Sequence, residues 1–292
     1  MKQQFNKGIL LTSLGSFWWG FIGVLYFEYV SFIGHVELVV HRCIWTALML
    51  ILTTSFFSKW NVFKKTIIDK KKVFALFLSG FLIFTNWAVW IYAVASERII
   101  DASFGYFIMP IISVMLGYIF FREKLNNKRL FSVILVIISI LILIIFNLES
   151  LPWVGIIVAL SWAFYNLVRK KIDIDTDIGL LIESLFIFPF ALITFYFIVI
   201  NGYNDFNFSN PSFSIFLILA GPMTVIPLFL YVRGVELIGL GPTGMIFYIT
   251  PTLQFILGYF YYNEEFSLVK FLSFVIIWIA VVIYLKDLYE TN

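Results

Sequence analysis

The sequence predicts an all-α integral membrane protein with ten transmembrane helices arranged as two inverted five-helix repeats. Three observations predict it: a composition too apolar for water, ten long apolar runs in succession, and an internal self-similarity at a fixed offset. Of 292 residues, 62% are hydrophobic and only 13% charged, against roughly 25% charged in soluble domains. The mean hydropathy of +0.98 leaves more apolar surface than one water-soluble core could hide. Lipid is the solvent that accepts it.

A bilayer-spanning helix needs about 20 mostly apolar residues. Such runs occur at roughly 8–27, 36–57, 73–95, 102–121, 130–148, 151–168, 178–200, 213–232, 241–262 and 268–286. They lack the period-two alternation of an outer-membrane barrel, so helices must satisfy the backbone hydrogen bonds. The first run follows Lys2 and Lys7. It is too long for a signal peptide, lacks a small-residue cleavage pattern, and has nine more runs behind it. The second carries His41, Arg42 and Cys43, and the third carries Gly80 and the Asn86-Trp87 pair. The fourth contains Pro110, the fifth is apolar almost throughout, and the sixth carries Asn166 before a basic end, Arg169-Lys170-Lys171. Glu183 lies in the seventh, Gly221 in the eighth, Pro251 and Gln254 in the ninth. The tenth precedes a short polar tail.

The connections are short and leave no room for a soluble domain. With the N-terminus inside, 17 of the 20 Lys and Arg residues fall in inner segments. That is the positive-inside asymmetry, and it places both termini in the cytoplasm. The basic runs therefore read as topology signals and partners of anionic lipid headgroups, not as a nucleic-acid surface. The one cysteine, Cys43, excludes an internal disulfide.

Residues 102–125 and 243–266 align at a shift of about 141. Pro110 meets Pro251, Gly117 meets Gly258, Tyr118 meets Tyr259, Glu123 meets Glu264, and in the preceding runs Gly80 meets Gly221. The repeats are 1–148 and 149–292. Five spans is an odd number, so the second repeat is inverted relative to the first. Carriers that expose one midplane site alternately to each side use this architecture.

The pattern resembles the drug/metabolite transporter superfamily of EamA type, and within it the RarD family. The pieces that carry the resemblance are His41-Arg42 with Trp45, Asn86-Trp87, residues 102–108 ending at Pro110, residues 168–172, Leu181-Ile182-Glu183, and Tyr248-Ile249 before Pro251-Thr252-Leu253. It spans essentially the whole chain. It implies the fold and a permease role in the inner membrane, and it implies no particular substrate; a small-molecule substrate and no cofactor are expected.

A charge near the bilayer centre costs at least about 2.5–3.5 kcal/mol, so in-span charges face a cavity or a partner. Arg42 would attract a substrate carboxylate or phosphate. Glu183 would carry a proton, so that Glu183→Gln loses pH-dependent transport while inserting normally. His41 would titrate near neutral pH. Arg42 and Glu183 correspond under the repeat shift and would pair directly only near the midplane. Asn86, Asn166 and Gln254 would bind substrate or a neighbouring helix. Trp87, Tyr106 and Tyr248, with Trp18, Trp19, Trp90, Phe107 and Phe247, would line a cavity suited to an aromatic, amphipathic or quaternary-ammonium molecule. The alternative for each aromatic is an interfacial or lipid-facing place. Pro110 and Pro251 each break a helical hydrogen bond and would act as hinges. Gly239-x-Gly241-x-x-Gly244 matches a dinucleotide fingerprint only as a bare pattern; lacking a preceding strand, it reads as a tight turn. Asn207-Phe208-Ser209 is a glycosylation sequon only in a eukaryotic secretory membrane. Two histidines and one cysteine supply no metal site, and no enzyme motif is present. The rival reading is a membrane-embedded enzyme or lipid-handling protein.

Overall fold

A computed structural model describes residues 2–96, 99–147, 153–206, 211–263 and 267–291. The sequon at 207–209, Arg98 and Glu264 lie outside the described residues. Every regular element among the described residues is helical. The first long helix runs as α1 (Lys2–Phe17), a π-helical turn (Trp18–Ile22) and α2 (Gly23–Tyr29). Then follow α3 (His35–Phe56), a short α4 (Trp60–Ile68), α5 (Lys70–Ala95), α6 (Ile99–Phe121) and α7 (Asn127–Asn147). The second half holds α8 (Trp153–Lys171), α9 (Thr176–Ile200), α10 (Pro211–Ile238), α11 (Leu240–Ile246), α12 (Ile249–Phe260) and α13 (Leu268–Thr291). Among the described residues, eight helices are long and apolar enough to cross a membrane by length and composition. The apolar run at 151–168 is helical from Trp153 onward, as α8, and the run at 241–262 is helical in two pieces, α11 and α12.

The packing partners recur between the halves. Helix α1 lies on α10, α11 and α12; α8 lies on α5 and α6. Helix α3 packs on α10 as α5 packs on α9, while α3 meets α9 and α7 meets α13. Glycine permits two of these crossings. A Cβ at Gly80 would touch the Glu183 backbone of α9, and one at Gly221 would overlap the Trp45 backbone of α3. Small residues admit such close approach where packing, not hydrophobicity, drives association.

The central core is rich in aromatic and branched side chains, including Trp162, Tyr165, Leu181, Tyr231 and Phe247. A second cluster joins α7 to α13 through Val136, Ile140, Ile277 and Ala280. Many large apolar side chains point outward, among them Leu52, Phe81, Ile145, Phe146 and Phe190. A surface that apolar fits hydrocarbon, as the composition requires.

The two repeat-paired prolines differ. Pro110 sits inside α6, where its missing N–H removes one helical bond. In the second half the interruption comes earlier, at Phe247–Tyr248. Pro251 is the third residue of α12, in a first turn where no intrahelical bond is lost. The expectation that both prolines interrupt a continuous helix therefore holds for Pro110 and not for Pro251. The two regions touch: a Cβ on Gly244 of α11 would press on the Pro110 carbonyl.

Candidate functional site

A cavity of about 490 Å³ lies between the halves. Its walls come from the π-helical turn and α2, from α3, α5, α6, α8 and α10, and from the α11–α12 break and α12. The turn projects Trp19 into it, and π-helical turns inside α-helices often mark functional positions. Gly20 in the same turn lets the helix lie against the Thr250 backbone, where a Cβ would overlap. Thr250 donates its hydroxyl to the Ser16 carbonyl at 2.9 Å, fixing the crossing.

The wall is largely aromatic. The Trp19 ring lies 5.2 Å from Trp162 and 6.1 Å from Phe247. Tyr106 lies 5.5 Å from Trp90 and 5.9 Å from Phe247. Among the described residues of this wall there is one cation, Arg42. Its Nε donates to the Thr224 hydroxyl at 3.2 Å, and Thr224 donates in turn to the Ala220 carbonyl at 2.8 Å. The guanidinium lies 5.1 Å from the Phe27 ring centre and 5.0 Å from that of Trp87, within cation–π range. Asn86 also lines the cavity, with its amide nitrogen donating to the Val158 carbonyl at 2.9 Å and to Ser161 at 3.1 Å. At the rim an exposed Glu28 accepts a hydrogen bond from the Tyr262 hydroxyl.

Five of the residues expected from sequence meet at this wall: Arg42, Asn86, Trp87, Tyr106 and Gln254. Trp19, Trp90 and Phe247 join them. Four do not. His41 is buried beside Phe195 and Phe206, accepts from the Trp45 indole N–H at 3.1 Å, and lies 3.5 Å from Glu37. Glu37 accepts from the backbone N–H groups of Asp205 and Phe206, so this pair anchors the connection after α9. Asn166 donates to the Trp162 carbonyl at 2.9 Å. Tyr248 is buried and donates to the Phe107 carbonyl at 2.8 Å.

Glu183 pairs with Arg169, not with Arg42. Arg169 Nη1 lies 3.6 Å away, Ser79 donates to the carboxylate at 2.5 Å, and Tyr165 donates at 3.2 Å. Arg169 also faces Glu236 at 3.8 Å and donates to the Thr176 carbonyl at 3.2 Å. At 1% exposure it is buried, unlike Lys171 beside it, which is exposed. In-chain sequence context gave no sign of this, because Arg169 opens a basic run. Thr224, Glu28, Trp162 and Tyr262 were missed as well; nothing in the local pattern distinguishes them from other span residues.

The basic connections are tied together away from the cavity. Glu123, between α6 and α7, accepts from the backbone N–H of Leu240 and of Gly241, each at 2.8 Å. It thus caps the start of α11, where an anion is favourable. This explains the glycine pattern. Gly239 has φ +96°, and a Cβ on Gly239 or Gly241 would overlap the Glu123 carboxylate. Burial pushes the Glu123 carboxyl above the usual carboxylate range, against the opposing N–H groups of Gly241 and Leu240 and the charges of Lys170 and Arg129. Nearby, Lys170 donates to the Val235 carbonyl at 3.0 Å, and Arg129 pairs with Asp287 at 2.8 Å. Lys59 pairs with Asp177 at 2.7 Å. No group of three or more metal-ligating side chains occurs among the described residues.

Comparison with known proteins agrees with this architecture. The family model of the EamA-like transporter family matches residues 6–145 and 151–286. Protein RarD of Escherichia coli K12 is 33% identical over 290 residues, covering 99% of this chain and 97% of that protein. An uncharacterized transporter of Vibrio cholerae is 32% identical over 98% of this chain and 94% of its own length. The uncharacterized transporter YojE of Bacillus subtilis is 31% identical over 96% of this chain and 93% of its own length. A solved crystal structure shares the fold with a TM-score of 0.72 at 12% identity, covering 95% of this chain and 96% of that one. With two matched segments spanning nearly all its length and relatives above 30% identity, the chain belongs to the EamA-like transporter family.

Proposed function

We propose that this membrane transporter is a secondary carrier that moves a small molecule across the cytoplasmic membrane by alternating access. The observation that carries the reading is the aromatic cavity with Arg42 in its wall, lying between two halves whose packing partners correspond. Ten spans in two inverted repeats, 1–148 and 149–292, account for that correspondence, and the internal alignment at a shift of about 141 supports it. The basic connections face the cytoplasm with both termini. In this conformation the cavity reaches the surface beside Glu28 and Tyr262, near the non-basic connections. The Glu123–Leu240–Gly241 clasp and the Lys170–Val235 bond then hold the cytoplasmic end shut. Opening that end requires the clasp to part, with Pro110 and the Phe247–Tyr248 break as the flexing points. The driving force is a proton gradient or the exchange of one metabolite for another.

The test is counterflow in sealed proteoliposomes. Vesicles loaded with a mixture of candidate unlabelled solutes are expected to accumulate the labelled counterpart of the true substrate, and Arg42→Gln is expected to abolish the uptake. Uptake equal in protein-free vesicles, or chemical conversion of the solute without net movement, would count against a carrier and for a membrane-embedded enzyme.

A further inference from the structure

Four arginines lie in the described helices, and two of them, Arg42 and Arg169, are treated oppositely. Arg169 is deeply buried between two carboxylates, Glu183 at 3.6 Å and Glu236 at 3.8 Å. Arg42 lines the cavity, bonds one neutral hydroxyl and lies over two aromatic faces. Among the described residues no Asp or Glu comes within 4.0 Å of it. A guanidinium withdrawn from bulk water needs a counter-anion or a strong set of acceptors. Thr224 accepts only from Nε, so the Nη groups keep their donors. Those donors form a planar fork that matches a carboxylate. Thr224 is itself held by its bond to the Ala220 carbonyl, which fixes the orientation of the guanidinium.

We propose that the cavity binds a singly charged organic anion with a flat apolar body, its carboxylate held by Arg42. The proposal rests on the carrier reading of the same cavity and names its substrate class. The rings of Trp19, Trp87, Trp90, Tyr106 and Phe247 supply the surface for the body, and flat apolar groups stack or pack edge-on against such rings. The charge is limited to one because, among the described residues, the only other charged side chain of the wall is Glu28. A second negative charge on the ligand meets no cation and does meet that carboxylate. An amine meets Arg42 as a like charge. Such repulsion sets specificity as much as attraction does.

The experiment uses the purified full-length chain in detergent, read by tryptophan fluorescence and by thermal melting. Four probes share a phenyl ring: 3-phenylpropanoate, its amide, 3-phenylpropylamine and the dianion phenylsuccinate. The acid is expected to quench fluorescence and raise the melting temperature, and to bind about ten- to a hundredfold tighter than the amide or amine. Arg42→Gln is expected to erase that preference; Arg42→Lys, which keeps the charge and loses the fork, is expected to weaken it partly. Should Arg42→Gln fail to fold, the wild-type series and Arg42→Lys still decide. Amide or amine binding as tight as the acid overturns the proposal, as does no binding of the acid, a tighter dianion, or an acid preference surviving in Arg42→Gln. Counterflow of labelled 3-phenylpropanoate separates the two levels. Binding without exchange in sealed vesicles overturns the carrier reading and leaves the ligand class. Exchange of amine or amide by a protein that ignores the acid does the reverse.

Discussion

Replacing Glu183 by glutamine removes the carboxylate facing Arg169 while keeping the side chain's size and its reach to Ser79 and Tyr165. Removing one partner of a buried ion pair costs about 3–5 kcal/mol, because the other charge stays buried. Arg169 keeps Glu236 at 3.8 Å and the Thr176 carbonyl at 3.2 Å, which sets the expectation at the low end, about 3 kcal/mol. The same exchange at Arg42 strands no carboxylate and loses one hydrogen bond to a neutral hydroxyl, an expected loss of about 1 kcal/mol. Equilibrium unfolding in mixed detergent micelles measures both. The double variant Arg169→Gln/Glu183→Gln is expected to recover part of the loss, as coupled partners do in a double-mutant cycle. A Glu183→Gln protein within about 0.5 kcal/mol of wild type, or an Arg42→Gln protein that loses as much, would refute the division into one structural and one ligand-facing arginine. The first effect of changing Glu183 is thus on stability, ahead of any effect on the pH dependence of transport.

Glu123 has a carboxyl raised by burial, so its share of the folded state's stability is fully present below the ordinary carboxylate pKa and is lost as pH rises through the raised value. The melting-temperature difference between wild type and Glu123→Gln is expected to be largest near the ordinary carboxylate range and to shrink toward neutral pH; a difference that grows with pH would reverse the assignment. Gly239→Ala forces a side chain onto φ +96° and into the Glu123 carboxylate, an expected loss of about 1–3 kcal/mol by the same unfolding assay. Thr224→Val removes the acceptor that orients Arg42 and is expected to weaken binding of an organic anion about tenfold with little change in melting temperature; unchanged affinity would show that the guanidinium needs no such support.

Much of the fold was legible because a lipid-facing backbone has few options. Among the described residues the ten apolar runs are largely helical, the ninth in two pieces. The in-span polar residues were legible as unusual, and Arg42, Asn86 and Gln254 do reach the cavity wall. What was not legible is which way each one faces. Spans that are apolar on every side lose the 3.6-residue contrast that tells the inner face from the outer. Glu183 and Arg42 look alike in sequence, each a charge set within an apolar run. Only the helix crossings put Arg169 beside the first and none beside the second. Proline is the visible breaker in sequence and points to a bend at Pro251, whereas the interruption sits at Phe247–Tyr248, where α11 ends. Glu123 was read as a repeat marker. Its partners are backbone N–H groups more than a hundred residues away, which leave no signature in side-chain identity.

The central claim is that this cavity is the substrate chamber, open in this conformation to the side opposite the basic connections. Cysteine labelling tests it most directly. In a Cys43→Ser background, a single cysteine at Gln254 on the cavity wall is compared with one at Phe190, exposed on the lipid-facing surface. A membrane-impermeant maleimide is applied to right-side-out vesicles. The account expects Gln254→Cys to be labelled from outside, with 3-phenylpropanoate slowing the reaction, and Phe190→Cys to stay unlabelled. Labelling of Gln254→Cys only from the cytoplasmic side, or at the same low rate as Phe190→Cys, would contradict it.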